Sequence, residues 1–340
     1  MLVTIFLLAA AVAASSCPTG TPALDTYSGG FNYTYSYPIH FHTLHTQHQT
    51  LCQAYMDVAP SKDVGSDVKT ILLLHGKNFC SETWSATASV LASNGYRVIV
   101  PEQIGFCKSS KPSAYQYTFQ QLALNTKSIL DALNTSSLTV MGHSMGGMLA
   151  ARFALTYPSY VERLVMVDPL GLEDWKAKGV PYLSVDEIYK TEAASNYTSI
   201  SSYENATYYN GHWRPEYDTW VDMLLRVYDG AEGDNFAFDQ ALVTDMVITQ
   251  PIIYEFPQLG KVPHSLLMVG DKDTTAIGKQ WSPPEVQKIL GHYDVLGPEA
   301  VTAIGGNCTY IHYPDLGHAP HISDPEQFYE DLLGWLQAAA

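Results

Sequence analysis

The chain of 340 residues, 46% hydrophobic and 15% charged, is long enough to bury a large core and too ordinary in composition for a collagen, a coiled coil or a disordered segment. Its 18 Lys and Arg stand against 34 Asp and Glu, and the formal charge of −16 repels phosphate backbones and anionic lipid, which argues against nucleic-acid binding. The sequence reads as one large domain carrying an insertion.

Leu2 to Ala14 is an unbroken run of apolar and small residues that closes on Ala11, Ala13, Ala14 and Ser16. This is the pattern of a signal peptide over residues 1–16, too short to cross a bilayer, although no Lys or Arg precedes it. No other segment reaches membrane-spanning length, so the mature chain is expected to be secreted and free of the membrane. Asn-x-Ser/Thr sites at Asn32, Asn134, Asn196, Asn205 and Asn307 fit an extracellular glycoprotein. Cys17, Cys52, Cys80, Cys107 and Cys308 lack the spacing of a zinc site, and an oxidising compartment would pair some of them. An odd count leaves at least one thiol without an internal partner.

Alternating apolar residues at Ile39–Leu44 and Leu51–Val58 predict a leading antiparallel hairpin. His40, His42, His45 and His48 fall there with no Cys or Asp to complete a metal site, and are read as surface residues. Continuous apolar runs then predict buried strands at Thr70–Leu74, Tyr96–Val100, Leu138–Met141, Leu164–Val167, Ser265–Val269 and Cys308–Tyr313. Helices lie between them. Phe119, Leu122, Ala123, Thr126, Ile129, Leu130 and Leu133 form one stripe at helical spacing, and Pro325 to Leu336 repeats the pattern. From 171 to 249 the alternation stops and aromatic residues crowd the chain, among them Tyr203, Tyr208, Tyr209, Trp213, Tyr217 and Trp220. A structureless loop of that length is implausible, so this stretch is expected to be a helical insertion between core segments 17–170 and 250–340.

The chemistry begins at Gly142-His143-Ser144-Met145-Gly146-Gly147, between the strand at Leu138–Met141 and a helical run. A serine at such a strand-to-helix turn is held in a strained conformation, and small neighbours are needed because strand and helix cross within a side chain's width. Its hydroxyl needs a neutral imidazole as base, and the imidazole needs a carboxylate to fix its tautomer. His318, in Gly317-His318-Ala319-Pro320 after the last predicted strand, is the candidate base; His321 is its local rival and His143 is read as structural. Asp271 and Asp273 both leave the penultimate strand, and Asp273 lies further along the loop that must reach the imidazole. The loop Gly76-Lys77-Asn78 after the first buried strand would supply an oxyanion N–H at Lys77, with a second at Met145. The Lys77 amine either binds an anionic substrate group or pairs with an acid such as Glu102.

Taken together, these motifs resemble the α/β-hydrolase superfamily, in the branch built on the AB-hydrolase-1 domain. The resemblance runs from Ala54-Tyr55-Met56-Asp57-Val58 through Leu73-Leu74-His75-Gly76, Pro101-Glu102-Gln103-Ile104-Gly105-Phe106, the Ser144 motif and Gly270-Asp271-Lys272-Asp273 to Gly317-His318-Ala319-Pro320. It implies a mostly parallel eight-stranded sheet with helices on both faces, and a helical cap where the aromatic insertion lies. It also implies the triad order Ser, Asp, His, with Asp273 as the acid, and no metal or other cofactor. Ser144 argues against the epoxide hydrolases and dehalogenases of this shape, which carry Asp at the turn.

Cys80 and Cys107 fall in loops at the same sheet edge, so a disulfide between them is expected across the rim of the site. The cap aromatics Tyr203, Tyr208, Tyr209 and Trp213, with His212, are candidates for lining an apolar pocket. The expected function is a secreted serine hydrolase acting on a small hydrophobic ester or lactone through an acyl-enzyme, with activity falling below roughly pH 6–7 as the base protonates. The alternatives are a ligand-binding protein on the same scaffold, and a peptidase or carbon–carbon hydrolase.

Overall fold

The computed structural model describes Cys17 and residues 31–62, 65, 68–306 and 308–338; the expected signal segment and Asn307 lie outside the described residues. Eight strands form one sheet: β1 (Ile39–Thr46), β2 (Gln49–Val58), β3 (Thr70–Leu74), β4 (Arg97–Pro101), β5 (Leu138–His143), β6 (Val161–Val167), β7 (His264–Gly270) and β8 (Cys308–Tyr313). Their spatial order is β1-β2-β4-β3-β5-β6-β7-β8. The β1–β2 and β2–β4 pairs are antiparallel, and every pair from β4 to β8 is parallel. Every residue of β3 and β5 is buried, as expected of central strands covered on both faces.

The register decides where the site can form. Leu74 stands opposite Gly142, His143 opposite Val167, and Val167 opposite Met268. The loops leaving β3, β5, β6 and β7 therefore emerge side by side at the carboxyl edge of the sheet, where open α/β folds place their ligands.

Helices α1 (Ser85–Ser93), α2 (Phe119–Ala132) and α3 (Met145–Thr156) belong to the core. The Thr118 hydroxyl caps α2 by accepting from Gln121 N–H, and the buried side of that helix carries Phe119, Leu122, Ala123, Thr126, Ile129 and Leu130. Between β6 and β7 come α4 (Val185–Glu192), α5 (Tyr197–Thr207), α6 (Asp218–Tyr228) and α7 (Gly233–Thr249), with no strand among the described residues. Ser184 with Glu187 and Asn196 with Ser199 close reciprocal caps that start α4 and α5. These helices pack as α4 on α7, α5 on α6 and α6 on α7, so the aromatic insertion is a small layer of its own.

Two disulfides are present, Cys80–Cys107 with Cα atoms 5.8 Å apart and Cys17–Cys52 with Cα atoms 5.5 Å apart. The second was not assignable from the sequence, because no pattern in it shows that Cys17 lies beside β2. Cys308 remains a thiol, and burial pushes its pKa up to about 11. Non-reducing peptide mapping should recover both cross-links and one free thiol at Cys308; a Cys308-containing disulfide would contradict this arrangement. Closing the Cys80–Cys107 loop stabilises the fold by about 3–4 kcal/mol on chain-entropy grounds.

Helix α5 also buries Glu204, whose two carboxyl oxygens have no hydrogen-bond partner among the described residues. Burial alone lifts its pKa from 4.5 to about 8. The folded chain thus keeps this proton up to about pH 8, whereas the unfolded chain loses it near 4.5. Unfolding releases a proton between those values, so this group makes stability fall as pH rises through the window and adds no further slope above it. Glu204→Gln should therefore melt a few degrees above the native chain at the alkaline end of the window, with the gap closing toward the acid end. Parallel melting curves across the window would contradict the assignment.

Candidate active site

Strand β5 ends at His143 and α3 begins at Met145, which leaves Ser144 to make the whole turn with φ 58° and ψ −123°. For a residue with a side chain this costs on the order of 1–3 kcal/mol, and it persists only because the surroundings enforce it. The enforcement is visible in three glycines. A Cβ on Gly142 would lie 1.9 Å from the Gly146 oxygen, and one on Gly146 would lie 2.1 Å from the Leu74 oxygen. A Cβ on Gly76 would stand 3.0 Å from Ser144 Cβ, so the loop after β3 passes directly over the serine. Ser144 N–H donates to Val167 O at 3.1 Å and Leu170 N–H donates to Ser144 O at 3.1 Å, fastening the turn to the end of β6.

His318 is fully buried, and its Nδ1 lies 2.5 Å from Asp273 Oδ2. The other oxygen of Asp273 accepts the Thr275 N–H at 2.7 Å. With Nδ1–H given to the carboxylate, the Nε2 of the neutral ring is an acceptor, and it is buried with no partner among the described residues. Asp271 turns the other way: its Oδ2 meets His312 Nδ1 at 2.8 Å on the outer side of β8. Of the two acids offered by the sequence, the structure brings Asp273 to the imidazole.

The rival histidines hold the wall behind. His143 Nε2–H donates to the His318 carbonyl at 2.6 Å, and His321 stacks on Trp84 with ring centroids 4.8 Å apart. Burial, and then the neighbouring imidazoles, push His143 well below the usual histidine range; burial and His318 push His321 down to about 3. Both rings therefore stay neutral at ordinary pH. His40, His42 and His45 make separate contacts with Tyr55, Ser128 and Thr50 and do not converge.

A second buried carboxyl, Asp168, follows β6 directly, and its Oδ1 accepts Gly270 N–H at 2.8 Å. It carries the same sequence signal as Asp271 and Asp273, an acid just past a buried strand, and was not among the candidate site residues. One oxygen each of Asp168 and Asp273 and a ring nitrogen of His318 lie within 4.8 Å of one another. Cys80, Glu102 and Cys107 also approach one another, but the two sulfurs are bonded.

The N–H groups of Lys77 and Met145 donate to no acceptor among the described residues, and Met145 stands in the first turn of α3, where backbone N–H groups are left open. The Lys77 amine pairs with Glu192 Oε1 at 2.7 Å, and Tyr228 OH donates to the second oxygen of that carboxylate at 2.6 Å. The partner expected from the sequence, Glu102, points instead into the core, where it accepts from Tyr35 OH and from the backbone and hydroxyl of Ser81.

Cap and core meet at His318. The His318 N–H donates to Thr207 O at the end of α5 at 3.1 Å, and the Tyr208 ring lies 5.0 Å from the imidazole. Asn78 Nδ2 donates to Tyr208 OH at 3.0 Å, and Tyr203 packs edge-on against Tyr208. Tyr209 and Trp213 stand in a second row: Tyr209 stacks on Tyr217 at 3.6 Å, and Trp213 gives its N–H to Asp218. Together with His212 and Arg214 near the Asp315–Gly317 turn, Tyr209 lines a cavity of about 110 Å³ that none of the three residues Ser144, Asp273 and His318 enters. Asn32, Asn134 and Asn196 are exposed, while the amide oxygen of Asn205 is buried with no partner among the described residues.

The α/β hydrolase fold family matches residues 69–197. The structure of a probable hydrolytic enzyme from Pseudomonas aeruginosa PAO1 is 49% identical in sequence, superposes with a TM-score of 0.87, and is matched over 93% of this chain and 100% of its own. An uncharacterized protein of Mycobacterium tuberculosis is 36% identical over 102 residues, which make up 30% of this chain and only 29% of that protein. Lipase 3 of Moraxella sp. is 35% identical over 112 residues, 33% of this chain and 34% of its own length. Sequence, sheet order and the turn at Ser144 agree: the chain belongs to the α/β-hydrolase family.

Proposed function

We propose that the chain is a serine hydrolase that cleaves a small hydrophobic ester or lactone through an acyl-enzyme. The observation that carries this reading is the buried, unpartnered Nε2 of His318, whose opposite nitrogen is fixed on Asp273 at the sheet edge that carries the Ser144 turn. In this reading Ser144 Oγ attacks the substrate carbonyl carbon while His318 Nε2 takes the hydroxyl proton. The carbonyl oxygen becomes an oxyanion facing the open N–H groups of Lys77 and Met145, each worth roughly 2.7–4 kcal/mol in the transition state. The tetrahedral species collapses, the C–O bond to the leaving alcohol breaks, and His318 returns the proton to that oxygen. Water, deprotonated by the same nitrogen, then attacks the acyl carbon, the bond from that carbon to Ser144 Oγ breaks, and His318 gives the proton to Oγ as the carboxylic acid leaves.

Asp273 holds the tautomer in which Nε2 is free and stabilises the imidazolium during each transfer. The hydrophobic preference rests on the ring of Tyr208 beside His318 and on Phe79 and Tyr203 packed against it, an apolar wall with one hydroxyl held by Asn78. Likeness to a lipase supports ester chemistry. The apolar N-terminal run, the glycosylation motifs and the two disulfides support an extracellular setting.

A fluorophosphonate probe should label the native chain at Ser144 and leave Ser144→Ala unlabelled. On p-nitrophenyl esters of short acyl chains, Ser144→Ala should lose turnover and Asp273→Asn should lower kcat by roughly 10⁴-fold, with melting temperatures near that of the native chain. A folded native chain that neither labels nor turns over any ester or lactone would contradict this reading.

A further inference from the structure

We propose that Asp168 is a positioning residue for the reaction above: Asp168 and Asp273 form an acid–carboxylate pair sharing one proton, with Asp168 the acid and Asp273 the charge presented to His318. The inference deepens the proposed function and rests on its assignment of Asp273 and His318.

The backbone first shows that the side chain is held in place. Asp168 has φ 37°, a left-handed conformation that a residue with a Cβ avoids unless something compensates. Its N–H donates to Met268 O at 2.8 Å and its Oδ1 accepts Gly270 N–H at 2.8 Å, so the residue ties the end of β6 to the last residues of β7, from which the turn carrying Asp273 leaves. The remaining oxygen, Oδ2, is buried and has no partner among the described residues. An ionised carboxylate in that position would leave a full charge uncompensated.

The neighbours then decide the protonation state. Asp168 and Asp273 each place an oxygen within 4.8 Å of the other and of a His318 ring nitrogen. Facing Asp168 are Asp273 and Asp271 from the loop after β7, Tyr293 from the helix Tyr293–Ile304, Tyr310 and Tyr313 from β8, and His318. No Lys or Arg is in that set, so two ionised carboxylates would face each other with no lysine or arginine to offset them.

Which oxygen keeps the proton follows from the donors. Asp273 receives His318 Nδ1–H and Thr275 N–H, which stabilise its ionised form, whereas Asp168 receives a single backbone N–H. Burial, and then the charge of Asp273, hold the Asp168 carboxyl well above the usual range. The acid hydrogen on Asp168 then faces the Asp273 carboxylate, fixes its plane and spreads part of its charge, which limits how strongly the imidazolium is stabilised. An acid that leaves the imidazolium too stable would keep His318 protonated when it must act as base.

The test uses the full chain and needs no substrate. Asp168→Asn keeps an acceptor for Gly270 and a donor for Asp273 but can carry no charge. At neutral pH the native chain should show in the infrared the carbonyl stretch of a protonated carboxyl that Asp168→Asn lacks. The His318 ring titration, followed by NMR, should coincide in the two proteins within about 0.3 pH unit. If Asp168 is ionised, the substitution removes a negative charge beside the imidazole: no band is lost, and the His318 titration falls by about one unit or more. Only loss of the band together with an unmoved titration supports the proposal; any other pairing overturns it. Asp168→Ala, which removes the donor, should raise the His318 titration by about half a unit to one unit. Failure of the hydrolase reading would show separately, as a native chain that Ser144→Ala leaves unchanged in probe labelling.

Discussion

The site depends on one close approach: α3 leaves β5 so tightly that Gly146 passes under the Leu74 carbonyl with no room for a Cβ. That crossing forces Ser144 out of the helical region and lifts its side chain to the carboxyl edge of the sheet. It also sets the first N–H groups of α3 beneath the serine, so the strain at Ser144 and the dipole that would stabilise a negative charge beside its hydroxyl have one origin. A methyl group at Gly142 or Gly146 would separate strand and helix and remove both.

Around that crossing, the parallel register does the rest of the assembly. Residues 144, 168 and 273 follow three adjacent strands, and His318 follows the fourth, so side chains far apart in sequence arrive at one edge. The backbone locks them together: His143 holds the His318 carbonyl, Ser144 is bonded to Val167 and Leu170, and Asp168 is bonded to Gly270. The cap adds a second fastening through Thr207 on His318, Asn78 on Tyr208 and Lys77 on Glu192. Its aromatic layer therefore shapes the space over the imidazole while staying attached to the loop that carries Lys77 and Asn78.

Much of this was legible in the sequence because it depends on local constraints. Strands β3 and β8 have the limits read from their apolar runs, and the others differ by one to three residues at their ends. Gly142, Ser144 and Gly146 announce a strand-to-helix turn, and an acid and a histidine after the last two strands announce their partners. What escaped depends on distance through space. The choice of Glu192 over Glu102 for Lys77 needs the cap's position, and the second-row placement of Tyr209 and Trp213 needs the stacking on Tyr217. The pairing of Cys17 with Cys52 needs the path of the chain beside β2. Asp168 was visible as an acid after a buried strand, but only the fold shows that it shares its surroundings with Asp273.

The most direct measurement of the central claim is a crystal structure of the chain after reaction with a small alkyl phosphonate, which mimics the tetrahedral intermediate. Phosphorus should be bonded to Ser144 Oγ, with one phosphonate oxygen within hydrogen-bond reach of both the Lys77 and Met145 N–H groups and His318 Nε2 facing the oxygen of Ser144. An adduct on another residue, or a phosphonate oxygen turned away from both N–H groups while His318 points elsewhere, would contradict it.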